Sequence, residues 1–324
     1  MNNLLQGKNT NNTIFRFLVF KESGIFLALL VLSTFLAFSA PMFLTQYNLG
    51  IVVRQISYVA IVALGQTIVL ISGGIDLSVG AVAGLSGILG AIMMSSTNID
   101  PYICTAVAVM FGLGCGAING VLVAKVGLNP FIVTLATMEA FSGLILVITR
   151  GYTVMGIPPK FQFLGQGLIG PVPVPVIIMV ILAAILIYVL QNTTFGRYVY
   201  AIGGNLFAAR LVGIRVQKIK IWVFALSGMM AALAGMIFVS RMNAGQPTIG
   251  QAWLMPSITA AIIGGTSLSG GQGTIYGTIL GAVLMGVLAN GIVLLNVSSY
   301  WERVITGIVV LLAVIIDVLR NRKK

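Results

Sequence analysis

The chain has 324 residues, of which 58% are hydrophobic and only 7% charged, with 18 Lys and Arg against 6 Asp and Glu. A soluble domain carries about 25% charge because water must solvate its outside, so this composition excludes an ordinary soluble globule and makes lipid the main solvent. There is no histidine, which removes imidazole acid–base chemistry and most zinc sites.

A spanning helix uses about 20 apolar residues, so the chain is expected to be an all-α integral membrane protein of about ten spans. Residues 1–23 are polar and basic and read as a cytoplasmic N-terminal segment. The first apolar run, 24–40, ends in Ala37-Phe38-Ser39-Ala40, which has the small residues of a signal-peptidase site. An uncleaved first span is preferred, because the remaining runs need it for an even helix count. Those runs are 57–72, 77–94, 102–124, 131–149, 173–190, 221–240, 252–263, 274–295 and 304–319. The run 252–263 is too short alone. Cys104 and Cys115 fall in one run, about 16 Å apart along a helix, so they cannot bond each other and read as core.

Ten spans put both ends on one side. If that side is cytoplasmic, it holds Lys8, Arg16, Lys21, Lys125, Arg197, Arg210, Arg215, Lys218, Lys220, Arg320, Arg322, Lys323 and Lys324. Arg54, Arg150, Lys160, Arg241 and Arg303 are left on or near the outer side. The positive-inside rule then fixes the orientation and accounts for the net charge of +12 without a nucleic acid. On this topology the membrane body covers 24–319 and the basic tail 320–324 is cytoplasmic. The Gly- and Pro-rich stretch 150–172 lies outside. The basic stretch 191–220 lies inside, where a long loop invites a partner. The minority outer charges are expected to include part of a docking surface for an external partner.

Two segments echo each other in register: 71–80, Ile-Ser-Gly-Gly-Ile-Asp-Leu-Ser-Val-Gly, and 262–271, Ile-Ile-Gly-Gly-Thr-Ser-Leu-Ser-Gly-Gly. Each sits at a junction between runs. Glycine pairs loosen helices, and broken helices at matching places in two halves point to a transport pathway. Gly73, Gly74, Asp76, Ser78, Gly264, Gly265 and Ser269 are therefore the gate and pathway candidates. Glycine-rich turns also look alike by chance. Gly112, Gly116 and Gly120, and Gly273, Gly277 and Gly281, have the four-residue spacing that lets helix backbones approach in lipid.

Asp76 and Glu139 are the acids expected near the membrane interior, where a charge costs about 2.5–3.5 kcal/mol. Asp76 reads either as the cap of a helix starting at about Leu77 or as the lining of a polar path. Glu139 is expected to pair with a neighbouring helix. Asn119 and Asn290 are expected to bond between helices. Gln66 and Thr67 are open to a polar lumen.

No segment fits G-x-x-x-x-G-K-[ST], the phosphate-cradling loop, so any ATPase is a separate subunit. With residues 73–80 and 264–271, the run 196–205 (Gly-Arg-Tyr-Val-Tyr-Ala-Ile-Gly-Gly-Asn), Ala208-Ala209-Arg210-Leu211-Val212-Gly213-Ile214 and Asn296-Val297-Ser298-Ser299-Tyr300 complete a specific pattern. Over nearly its whole length the chain resembles the permeases of ribose-, xylose- and galactose-type ABC sugar importers, the ribose branch most. The resemblance implies a type II-like importer permease with two related halves in the bacterial cytoplasmic membrane. It implies a homodimer, or a pair of related permeases, on two cytoplasmic ATPase subunits. Those subunits use ATP and Mg, and this chain binds no cofactor or metal. A periplasmic or lipid-anchored binding protein would deliver the sugar.

The same resemblance makes 203–214 the coupling helix, through Gly203, Gly204, Asn205, Ala208, Ala209, Arg210, Gly213 and Ile214. Phe207 stands where the importer motif Glu-Ala-Ala-x-x-x-Gly has Glu. Small Ala208, Ala209 and Gly213 give a shallow face that can enter a groove, and Gly213 is placed to end the helix. The alternative is a secondary carrier driven by an ion gradient. A channel or a membrane-embedded enzyme comes third, and an enzyme is opposed by the missing histidine, paired carboxylates and cofactor motif.

Overall fold

The structure is a computed structural model that describes residues 23–321. The side chains of Ser23, Ser299, Glu302, Arg303, Ala313 and 316–321 lie outside the description. The expected segment 1–22, the residues 322–324 of the tail and the docking candidate Arg303 therefore fall outside it.

The described residues form α1 (Ser23–Ser39), α2 (Gln46–Ile71), α3 (Val79–Ser96), α4 (Pro101–Val121, running on into a π turn Leu122–Val126) and α5 (Pro130–Thr149). A small folded cap follows: a 3-10 turn Pro159–Phe161, α6 (Gln162–Gln166) and a hairpin of β1 (Leu168–Ile169) with β2 (Val172–Pro173). The rest is α7 (Val174–Asn192), α8 (Thr194–Gly204), α9 (Leu206–Leu211), α10 (Val216–Met242), α11 (Leu254–Ile263), α12 (Ile275–Leu294) and α13 (Ser299–Asn321). Seven of these helices are long and apolar enough to cross a membrane, and α1, α11 and α13 complete ten apolar helices. The chain is an all-helical, multi-pass membrane protein.

Polar residues start these helices. The Asp100 carboxylate accepts from the Tyr102 amide at 2.9 Å with Pro101 in the first turn of α4, and Asn129 does the same for α5 ahead of Pro130. Thr45 caps α2, which begins at Gln46 and not near 57. Its first turns carry Asn48, Arg54 and Gln55, so an apolar run could not mark them. One end of the bundle carries Lys160 (the Lys160 end). At the other Gly73, Gly203 and Gly271 meet (the glycine end).

The bundle centres on α10, which packs against α4, α2 and α3. A methyl added at Gly116 would fall on the Phe224 carbonyl, and one at Gly112 or Gly120 on α10 as well, so this glycine row seats two backbones together. The second row is only partly helical. Gly277 and Gly281 press on Gly264 and Ala260, while Gly273 lies in the turn before α12. Asn48 and Asn290 exchange two amide hydrogen bonds, 3.0 and 2.9 Å, joining α2 to α12.

The short run 252–263 has a physical explanation. Residues 243–253 have no helix, and they turn back along α3. Gly245 pairs both ways with Val154 at 2.9 Å, and the Ile249 and Gly250 backbone then lies against Gly84 and Gly80. Only ten residues of helix, α11, remain for the rest of the crossing. Irregular backbone at membrane depth is tolerated where protein covers it, and α3 does so here.

Candidate coupling and gate site

Both echo segments fold into the same helix-ending turn. After α2 the Gly74 amide reaches back to the Val69 carbonyl and the Gly73 amide to Leu70, with Gly73 at φ +75°. After α11 the Thr266 amide reaches Ala261 and the Gly265 amide Ile262, with Gly265 at φ +87°. This paired closure around one left-handed residue is what glycine permits. The sequence register aligns Gly73 with Gly264, yet Gly265 takes the left-handed role, because α11 runs one residue further into its motif.

The likeness continues past the turns. The Ser78 amide donates to Asp76 Oδ1 at 3.0 Å, and at the aligned place the Ser269 amide donates to Ser267 Oγ at 3.2 Å. Asp76 is buried, and it does not cap a helix from Leu77. α3 starts at Val79 with no side-chain cap, because the carboxylate takes the amide of Ser78, just before the helix, together with two hydroxyls. Ser78 Oγ donates to Oδ1 at 2.6 Å and Ser227 Oγ, from α10, donates to Oδ2 at 2.9 Å. Asn119 Nδ2, from α4, donates to Ser78 Oγ at 2.8 Å. The Gln66 side-chain amide, turned to suit both groups, bonds the Asp76 backbone carbonyl and amide at 3.1 and 3.3 Å. Asp76 thus ties α2, α3, α4 and α10 at one point. Gln66 and Thr67 do not line a lumen; Thr67 Oγ1 meets Thr278 Oγ1 at 2.7 Å inside the bundle.

The two turns meet each other and α8. The Gly271 amide donates to the Ile71 carbonyl at 2.8 Å. Gly203, near the end of α8, lies on this bond: a Cβ there would overlap both the Ile71 carbonyl and the Gly271 amide. Tyr200, one turn earlier, donates its hydroxyl to the Gly273 carbonyl at 2.8 Å. The gate candidates of both halves and the start of the coupling segment are one contact surface.

Beyond Gly203 the coupling candidates divide. Asn205 caps α9 by accepting from the Ala208 amide at 2.9 Å, and Gly213, at φ +81°, ends it with the same paired closure (Ile214 to Ala209, Gly213 to Arg210). Ala209 faces inward, 3% exposed, in a small core with Ile202 and Val216. It forms no part of an outer face. The outward groups are Phe207, Leu211 and Val212, each more than 70% exposed, with Ala208 and Arg210. The exposed bases Arg197, Arg215 and Lys218 flank them in sequence. Sequence patterning could not separate α9's two sides, because a six-residue helix has under two turns of period.

At the Lys160 end, Lys160 pairs with Asp100 at 2.8 Å. Arg54 donates to the Gln166 carbonyl at 3.4 Å, and Gln166 Nε2 donates to the Arg241 carbonyl at 2.9 Å. Arg241 also donates to the Tyr58 hydroxyl and lies 5.6 Å from that ring's centroid. The Lys160 and Arg54 side chains and the Arg241 backbone hold the cap 159–166 in place. Arg150 is exposed at the left-handed end of α5, apart from them. Glu139, midway along α5, is exposed on this single chain rather than paired with a neighbouring helix.

Residues 48–314 match the family described as branched-chain amino acid transport system / permease component. The chain is similar to the ribose import permease protein RbsC of Bacillus subtilis (strain 168), 43% identical over 92% of this chain and 93% of the relative. It is 42% identical to RbsC of Escherichia coli (strain K12) and 37% to that strain's D-allose transport system permease protein AlsC, each over 94% of both chains. No solved structure matches it.

Proposed function

Because the chain belongs to the permease-component family of branched-chain amino acid transport systems, we propose that it is the membrane subunit of an ATP-driven importer, carrying a monosaccharide of the ribose class. The family description is broad; the sugar reading rests on relatives named for ribose and allose import at 37–43% identity over nearly the full length. ATP and Mg are used by a separate cytoplasmic ATPase, and an external binding protein delivers the sugar. The observation that carries coupling is Gly203, seated without side-chain clearance on the Ile71–Gly271 bond. A push on α9 passes through α8 to both turns, which gives two sites one element to bias. Phe207, Leu211 and Val212 are the apolar anchors offered to the ATPase, flanked by bases that suit an acidic rim.

The glycine end, which carries α8 and α9, is cytoplasmic by charge, with both termini on that side. Arg150 is then an outer surface charge open to the binding protein, while Arg54, Lys160 and Arg241 shape a separate part of the Lys160 end. A second copy covers Glu139, since a carboxylate facing hydrocarbon at mid-span is costly.

The test is reconstitution. Permease alone in proteoliposomes takes up no ribose under imposed proton or sodium gradients. Uptake appears with the ATPase, the binding protein and internal ATP. Gradient-driven uptake by the permease alone would make it a secondary carrier, a reading the comparisons do not favour.

A further inference from the structure

In the half of the bundle toward the Lys160 end lies a cavity of about 180 Å³. Gln55 and Tyr58 of α2, Phe238 of α10, Trp253 ahead of α11, Gly286 of α12 and Thr306 of α13 line it. A water occupies about 30 Å³ of liquid, so the space equals about six waters, the scale of one small organic molecule.

Three aromatic rings form its wall. Tyr58 and Trp253 lie 5.1 Å apart between centroids and 31° from parallel, and Phe238 meets both edge-on at 5.4 and 5.3 Å. The Tyr58 hydroxyl is fixed by Arg241. The side chains of Gln55 and Thr306, both partly exposed, make no hydrogen bond to another described residue and remain free for a guest. Ala252, which lines the cavity, is exposed, so the space communicates with the surface there. No acid or cation is among the described residues that line it.

Rigid aromatic faces with a side-chain amide and hydroxyls suit a neutral polyhydroxylated guest. Its C–H faces pack on the rings while its hydroxyls replace water at the polar groups. The start of a discontinuous helix is also where membrane carriers hold small substrates. We infer that this cavity is a monosaccharide subsite within each chain, where the sugar rests in the outer half of its crossing. The inference rests on the sugar-permease reading and adds to it a site that reading does not require.

The test uses the full chain with Trp222→Phe and Trp301→Phe, which leaves Trp253 as sole indole. In nanodiscs, D-ribose should shift Trp253 emission saturably, with half-saturation in the millimolar range. The near-isosteric pair Gln55→Leu and Thr306→Val should raise that concentration about tenfold, and Ala289→Phe, which fills the space, should abolish the response. An emission change that saturates with n-octanol and not with D-ribose, D-allose or D-xylose would make the cavity a lipid pocket and overturn the subsite. So would absence of any sugar response in a preparation that imports ribose once its ATPase and binding protein are added. That import decides the permease reading separately, so either conclusion can fall without the other.

Discussion

The Gly271 amide and the Ile71 carbonyl, 2.8 Å apart, join the two echoing turns directly, and the end of α8 lies across that bond. The two halves are therefore not hinged independently at the glycine end. Whatever moves α8 moves both turns.

Gly203→Ala should break this arrangement, because the added methyl overlaps backbone that cannot step aside. Overpacking of this kind costs about 1–3 kcal/mol, so the purified variant should melt several degrees lower and lose receptor-stimulated ATP hydrolysis. Gly204→Ala is the control: nothing lies within 4 Å of its added carbon. If the two variants melt and hydrolyse alike, the contact at Gly203 does not transmit motion.

Phe207→Ala should weaken ATPase association by roughly thirtyfold, the effect of about 2 kcal/mol at an apolar anchor. Melting should hold, since the ring is 71% exposed. Ala209→Trp should behave oppositely, lowering melting by crowding Ile202 and Val216 before the ATPase is involved. Pull-down and melting on both variants separate the outer from the inner side of α9. Equal ATPase recovery with Phe207→Ala and wild type would remove Phe207 as an anchor.

Asp76→Asn keeps an oxygen for the Ser78 amide and hydroxyl, and Ser227 can rotate to accept from the new amide. Transport should largely survive. Asp76→Leu strands those donors in a buried place, at about 1–3 kcal/mol for each orphaned group, and should misfold or fail to assemble. An Asn variant that folds and assembles yet transports no better than Leu would show that the charge itself is needed.

Hydrogen bonding to Lys160 holds the exposed Asp100 carboxyl below the usual carboxylate range, helped by the Tyr102 amide, and the same bond raises Lys160. A lowered acid contributes above its unfolded range and loses that contribution as pH falls through its lowered range. A raised base contributes below its unfolded range and loses it as pH rises through its raised range. Anchoring of the 159–173 cap should thus be flat from about pH 5 to 9, both partners keeping their ordinary charges there, and loosen in acid. Limited proteolysis of the cap should show this, with small amplitude because exposed pairs contribute little. Asp100→Asn should lose the acid step. An unchanged acid step in that variant would assign it elsewhere.

Glu139→Cys should form a disulfide between copies under mild oxidation if α5 faces its twin, while a cysteine at Tyr188, exposed on α7, should not. The reverse result would place the second copy elsewhere.

Much of this was legible in the chain. Apolar runs located the helices, and the run 252–263 already stood out as too short alone. Asp76 beside Ser78 announced the contact between them, although α3 starts only at Val79 and no side chain caps it. The helix starts were not legible where polar residues such as Asn48 and Gln55 lie inside a buried helix. Nor were the partners of Asp76, because Ser227 and Gln66 reach it only through tertiary packing. The outward turn of Phe207 and the inward turn of Ala209 were hidden for the same reason: both depend on what α9 packs against.

The broken segment before α11 also bears on how the protein is made. Ten residues of helix span about 15 Å, half of a hydrocarbon core of about 30 Å, so α11 cannot halt in a bilayer alone during synthesis. It must enter paired with α12, and residues 243–253 stay unsheltered until α3 receives them. Lengthening α11 by a turn would ease its insertion, yet it would remove the gap through which the chain doubles back along Gly80 and Gly84. Insertion and the packing of 243–253 on α3 therefore pull on this helix in opposite directions.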